Sequence, residues 1–212
     1  MHVIGVVSQK GGVGKSTITR MLAREFVVND WTTLIGDTDN GQTTSTNWVA
    51  TRNKHNVTPE LIAQPVAKLS RVMLQNFDLV IFDGKPHSST ETLEIAKLSQ
   101  MLVIPTGVSM DDLRPAVILG HELKAKGIPR ERMIFVLTRT GDSETEVSDA
   151  RNYMALGGYD TAEADLPERT GYRMAQNIGR TVAETVFPSL NERADKLAQE
   201  LMDRFAKLTG IA

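Results

Sequence analysis

The chain has 212 residues, 41% of them hydrophobic and 24% charged, enough for one sizeable α/β domain and inconsistent with wholesale disorder. A formal net charge of −2 excludes a surface that is basic all over, so any nucleic-acid contact must be local. There is no cysteine, which excludes disulfides, thiolate metal sites and cysteine nucleophiles.

From the N-terminus, Met1 leads directly into an apolar run, "HVIGVVS" (2–8), without a basic leader region or a small-residue cleavage site. It reads as a strand. Further strands are expected at "TTLIGD" (32–37), "FDLVIFD" (77–83), "MLVIPT" (101–106) and "RMIFVLTR" (132–139), most of them continuous in Val, Ile and Leu, as strands covered on both faces are. Amphipathic segments near 15–28, 44–53, 66–75, 89–99, 111–126 and 143–156 separate them. This alternation predicts a mostly parallel, twisted sheet with helices on both faces and ligands at the carboxyl ends of the strands. In "SLNERADKLAQELMDRFAKLTG", Leu190, Ala194, Leu197, Leu201, Phe205 and Leu208 recur at three- and four-residue steps, so a C-terminal helix is expected over about 189–208, with Ser189 as N-cap and Gly210 past its end. No apolar run approaches the roughly 20 residues of a membrane span, and the expected location is the cytoplasm.

The first strand is followed by "QKGGVGKST" (9–17) and then by a helix. In that context Gly11, Gly12, Val13 and Gly14 can turn backbone N–H groups toward phosphate oxygens at a helix N-terminus. Lys15 would bridge the terminal phosphates of ATP, the Ser16 hydroxyl would ligate Mg²⁺, and Thr17 would lie beside the α-phosphate. Asp83, ending a buried strand, is the candidate metal carboxylate, acting through a water. Asp37 and Asp39 end another strand two residues apart; they either join the site or only close the strand with an Asx-turn.

The stretch "KGGVGKST" resembles the deviant Walker A box of the ParA/MinD group of ATPases, and "DTDNGQ" and "LVIFDG" resemble that group's A′ and Walker B motifs. With "LTRT" (137–140), "LPERTGYRMAQNIGRTVAE" (166–184) and the closing helix, the likeness covers nearly the whole chain and is greatest to short ParA-type plasmid partition ATPases, which lack an N-terminal helix-turn-helix domain. The resemblance implies a single P-loop NTPase domain over 1–212 that hydrolyses ATP, weakly until a partner stimulates it. It implies that Lys10 crosses an ATP-dependent homodimer to the phosphates of the other subunit. Asp39 would place the attacking water, Asp37 would stand near the metal, and Arg139 would contact the adenine. It also implies two further partners, non-specific DNA and a centromere-binding ParB-like adaptor, and hence a nucleoid-associated protein.

Physical chemistry independently favours a second cation near the γ-phosphate, where charge spreads during transfer, although a loop lysine can also be merely solvated. Arg169, Arg173, Arg180 and Arg193 are candidate DNA contacts, with scattered surface arginines as the alternative. Two departures from the family pattern stand out. Asn40-Gly41 replaces a proline before Gln42, making the turn one residue longer, and "DGKPHSS" follows Asp83 with Lys85 and His87, which either approach the phosphates or line a solvated loop. Competing readings are a MinD-like membrane-associated ATPase, a ParA-like protein positioning other cargo such as chemoreceptor arrays or transfer machinery, and a small-molecule P-loop ligase. In the last helix Glu192, Asp195, Glu200 and Asp203 balance Arg193, Lys196, Arg204 and Lys207, which argues against membrane attachment. A nitrogenase-iron-protein-like reductase would need cluster-ligating cysteines.

Overall fold

The apolar runs pair side by side as seven parallel strands in the order β3-β2-β4-β1-β5-β6-β7. These are β1 (His2–Val6), β2 (Thr33–Asp37), β3 (Ile62–Pro65), β4 (Leu79–Asp83), β5 (Met101–Thr106), β6 (Met133–Thr140) and β7 (Leu166–Pro167). The computed structural model of the chain describes residues 1–39, 41–86 and 89–211. Eight helices lie between and after the strands among these residues: α1 (Lys15–Val28), α2 (Thr44–Lys54), α3 (Leu69–Val72), α4 (Ser89–Leu98), α5 (Met110–Ala125), α6 (Glu144–Leu156), α7 (Thr170–Asn177) and α8 (Pro188–Thr209).

Because side chains alternate along a strand, the sheet feeds two cores. On one face Ile4, Val6 and Ile81 pack against Ile18 and Leu22 of α1, Trp48 of α2, Tyr172 of α7, and Leu197, Leu201 and Phe205 of α8. On the other, Val3, Val80 and Phe82 meet Val72 of α3, Ile95 of α4, Leu113 and Leu119 of α5, and Val147 of α6. The register matters most for function. Val6 of β1 lies opposite Asp83 of β4, and Asp37 of β2 lies opposite the same Asp83, so three carboxyl ends finish at one level.

Several boundaries differ from the sequence reading. The segment expected as a helix over 66–75 is helical only at Leu69–Val72. Strands β3 and β7 and helix α7 were not foreseen; β3 is a four-residue edge strand with half its residues exposed, and β7 is two residues long. Helix α8 starts at Pro188 with Phe187 in the cap position, two residues before the Ser189 cap the pattern suggested, because proline fits the first helical turn, where its missing N–H costs nothing. Its far end is as expected, with Gly210 at φ 73°.

Candidate functional site

The loop between β1 and α1 wraps around the first turn of the helix. Gly12 and Gly14 take φ of 75° and 89°, the left-handed region that glycine enters at little cost, and Gly14 is the cap residue of α1. The loop is anchored from β6, where the Thr138 hydroxyl donates to the Val13 carbonyl at 2.8 Å. Above it opens a cavity of about 410 Å³ lined by Gly11, Gly12, Gly14, Lys15, Ser16 and Thr17 from the loop and helix, Asp37, Asp39 and Gln42 from the end of β2, and Asp83 from β4. The sequence-predicted loop, metal and water-positioning residues thus converge on one space. Two do not line it, Lys10 and Val13.

Lys10 points elsewhere. Its ammonium lies 3.1 Å from Asp112 in the first turn of α5, and its backbone carbonyl accepts from Lys15 Nζ at 3.0 Å. Burial pulls the Lys15 pKa below its ordinary value, opposed by the charges of Asp83 and Asp39. Asp83 is pushed up, first by burial, with hydrogen bonds from Ser45 and Ser16 and the charge of Arg20 acting against it.

Asp37 and Asp39 have distinct tasks. One Asp37 oxygen accepts from the backbone N–H of Ser45 (2.9 Å) and Thr46 (3.0 Å) and from the Thr46 hydroxyl (3.2 Å), while the other accepts from Asp39 N at 3.2 Å. Asp37 therefore seats the N-terminus of α2, where a negative charge also meets the helix dipole. Asp39 Oδ1 accepts from Gly41 N and Gln42 N, so an Asx-turn is present even though the residue lines the cavity. Asn40 and His87, both singled out in the sequence, lie outside the described residues. Lys85 pairs with Glu91 at 3.2 Å, and Glu91 in turn accepts from Thr38, so Lys85 is held on the α4 side.

Arg139 adopts φ 55°, and its guanidinium reaches the Gly12 carbonyl (3.4 Å) and Glu168 (3.3 Å). It borders a small cleft with Gly14, Thr17, Pro167 and Tyr172 beside the phosphate loop. The four candidate DNA-contacting arginines are not equivalent. Arg169 pairs with Asp142, Arg173 with Glu168, and Arg193 holds both oxygens of the buried Asp165. Arg180 is exposed and has no side-chain partner among the described residues.

Hard oxygen donors at Ser16 and Asp83, a lysine and N–H groups at a helix start suit Mg²⁺ held together with nucleotide phosphates, because Mg²⁺ keeps several waters and takes few protein ligands. Among the described residues no group of three or more His, Cys, Asp or Glu side chains forms a cage that could bind a metal without a nucleotide. Sequence reasoning assigned no role to Arg20, which borders the cavity, to Ser45 beside Asp83, to Thr138 beneath the loop, or to Gln176, whose Oε1 accepts from the Thr17 hydroxyl at 3.2 Å. Thr138 and Gln176 fall within stretches that carry the family likeness, and the run of Thr43, Thr44 and Ser45 offers hydroxyls suited to a helix start.

Such an arrangement, with a glycine loop closing on a helix start and a buried carboxylate ending an adjacent parallel strand, defines a P-loop nucleotide-binding domain. The profile of the CobQ/CobB/MinD/ParA nucleotide-binding domain matches residues 4–197, and the chain belongs to that family. No curated protein matches it in sequence. Among solved structures it is similar to the septum site-determining protein MinD of Pyrococcus horikoshii in complex with Mg-ADP, at 18% identity over 99% of this chain and 98% of that one, with a TM-score of 0.74. Apo McdA of Cyanothece aligns at 16% identity over 95% and 99% of the two chains with a TM-score of 0.72. A ParA family ATPase of Chlorobium tepidum aligns at 18% identity over 96% and 98%, with a TM-score of 0.63. Among the described residues, no helix is long and apolar enough to cross a membrane.

Proposed function

We propose that the protein is a ParA-type ATPase whose ATP-bound form is a two-fold sandwich dimer that binds DNA without sequence preference and hydrolyses ATP to segregate a plasmid or chromosome. One observation carries this reading. Lys15, Ser16 and Asp83 face the phosphate cavity, whereas Lys10, from the same loop, lies outside it against Asp112. A lysine displaced from its own phosphates is available to those of a second copy, where it would offset charge developing on the γ-phosphoryl oxygens. Hydrolysis then depends on dimerisation.

Within this scheme Lys15 and the glycine loop hold the phosphates, Ser16 and Asp83 hold Mg²⁺, and Asp39 orients the attacking water. Asp37 acts one step back, by seating α2 beside the metal carboxylate. Arg139 borders the cleft where a base would stack. A nucleoid location in the cytoplasm, and a ParB-like adaptor that stimulates hydrolysis, belong to the same proposal, since a switch needs partners that distinguish its two states. Arg180 is the best-placed DNA contact, because its charge is uncommitted; Arg169 and Arg173 sit on exposed pairs that phosphates can displace at little cost.

The test is molecular mass by light scattering with ADP, ATP and a non-hydrolysable ATP analogue. A monomer with ADP and a dimer with the analogue are expected, and Lys10→Ala is expected to bind ATP without hydrolysing it. Hydrolysis by Lys10→Ala at the parent rate at every protein concentration would refute the cross-subunit role.

A further inference from the structure

Arg20, on the second turn of α1, is 7% exposed; it borders the phosphate cavity, but the scheme above gives it no role. A guanidinium this deep loses its hydration and must find acceptors inside the protein. It finds them on two other elements. Nε donates to Ser45 Oγ at 3.2 Å and Nη2 to the Thr44 carbonyl at 2.8 Å, both at the start of α2, while Nη1 reaches Gln176 Oε1 on α7 at 3.5 Å. The group also lies 5.0 Å from the centre of the Trp48 ring.

The consequence falls on Ser45. A guanidinium has donors and no acceptor, so Ser45 Oγ accepts a hydrogen bond from Arg20, and its own single O–H is left to donate to the remaining partner. That partner is Asp83, whose Oδ2 lies 2.6 Å from Ser45 Oγ. The direction of this chain, from Arg20 through Ser45 to Asp83, is fixed by the chemistry of its first member. Without Arg20 the hydroxyl can rotate, and Asp83 loses a constant donor.

We propose that Arg20 is a positioning residue for the metal site: by fixing the direction of the Ser45 hydroxyl it holds the Asp83 carboxylate in one orientation and so sets the affinity for Mg²⁺ beside a bound nucleotide. The inference rests on the nucleotide site proposed above. Partners that orient a metal carboxylate through one intermediate group typically change metal affinity by about 10- to 100-fold when removed.

The test measures binding of a fluorescent ATP analogue to the full chain with Mg²⁺ and with EDTA, for the parent, Arg20→Met, Ser45→Ala and the double variant. The parent is expected to bind more tightly with Mg²⁺. Arg20→Met and Ser45→Ala should each lose about tenfold of that gain, read as the ratio of affinities with Mg²⁺ and in EDTA, with Ser45→Ala leaving binding in EDTA unchanged, and the double variant should lose no more of the ratio than either single one. Arg20→Lys should not rescue, because a point charge cannot reproduce the bonds to Ser45 and Thr44 together. Losses equal with and without Mg²⁺, effects that add in the double variant, or rescue by Arg20→Lys would each overturn the assignment while leaving the nucleotide site intact. If the parent showed no Mg²⁺-dependent binding at all, the nucleotide reading would fail and take this one with it. Ser45→Ala carries the same comparison should Arg20→Met fail to fold.

Discussion

Lys15 Nζ donates to the backbone carbonyl of Lys10 at 3.0 Å, so one lysine of the loop is tied to the main chain of the other while their two charges point different ways. Lys15 is buried, and burial depresses its pKa. A lysine depressed in this way opposes folding while protonated, and that penalty fades only as pH rises toward the ordinary value of 10.5. Lys15→Met should therefore stabilise the nucleotide-free protein at neutral pH by about 0.5–2 kcal/mol, or roughly 1–8 °C in Tm. The same change should weaken nucleotide binding by about 10- to 100-fold, since a hydrogen bond to a charged group contributes about 1.5–3 kcal/mol. Calorimetric melting together with nucleotide titration checks both, and a variant less stable than the parent would contradict the account.

Asp112 holds Lys10 in the isolated chain through a pair that is partly exposed on both sides. Exposed pairs contribute about 0.2–1 kcal/mol, so Asp112→Asn should leave Tm nearly unchanged. If Lys10 must leave Asp112 to reach a second subunit, each released pair should tighten ATP-dependent dimerisation by up to about fivefold. Sedimentation across a concentration series with a non-hydrolysable analogue measures this; weaker dimerisation would count against the lysine's crossing.

Arg52 is fully buried and forks onto Glu184, at 2.7 Å and 2.9 Å, joining α2 to the segment after α7. Burial alone would raise the Glu184 pKa, but hydrogen bonds from Arg52 and Thr181 prevail and hold it below its ordinary 4.5. A depressed carboxyl contributes stability that is complete above the unfolded value and lost as pH falls through the folded one. Glu184→Gln should cost about 3 kcal/mol or more at pH 7, a fall of roughly 6–12 °C, because it leaves a buried guanidinium without its counter-charge. Below pH 4.5 the melting temperatures of parent and variant should converge. A gap that is constant from pH 7 to pH 3 would show that the pair is not what the variant lost.

For the proposed DNA contact, Arg180→Glu should reduce the slope of log affinity against log salt by about 2 in a dimer carrying two copies, at roughly 0.9 per phosphate. Arg193→Glu should instead lower stability, since it abandons the buried Asp165. Retention on duplex DNA at several salt concentrations separates the two effects.

The site's chemistry was readable wherever it depends on residue type at fixed spacing. Gly11, Gly12, Gly14 to Thr17 and Asp83 could be expected to share one space, as they do around the cavity, because a glycine loop after an apolar run, and an aspartate ending one, have few other uses. What could not be read was the direction in which side chains are bonded. Asp37 looks like Asp39 in the sequence and both line the cavity, yet one seats a helix and the other makes an Asx-turn. Nothing near Arg20 in the chain marks it as buried, since its burial is decided by α2 and α7, which arrive 24 and more residues later. Strands β3 and β7 and helix α7 escaped for another reason. The two strands, of four and two residues, are too short for a hydrophobic period to repeat, and α7 at eight residues spans only a little over two turns, with Gly171, Tyr172 and Ala175 as its buried positions.

The bonds from Ser45 and Thr46 to Asp37 make the chain from 37 to 46 a closed hoop, pinned at both ends to a single carboxylate. Its perimeter can grow without moving the pin. A segment pinned in this way can take an added residue along its rim, at the small cost of lengthening a loop, while Ser45 stays 2.6 Å from Asp83. A hoop of this kind lets the residues along the rim, Asp39 and Gln42 among them, vary independently of those pinned beside Asp83, a separation that a loop pinned only by its own backbone would not provide.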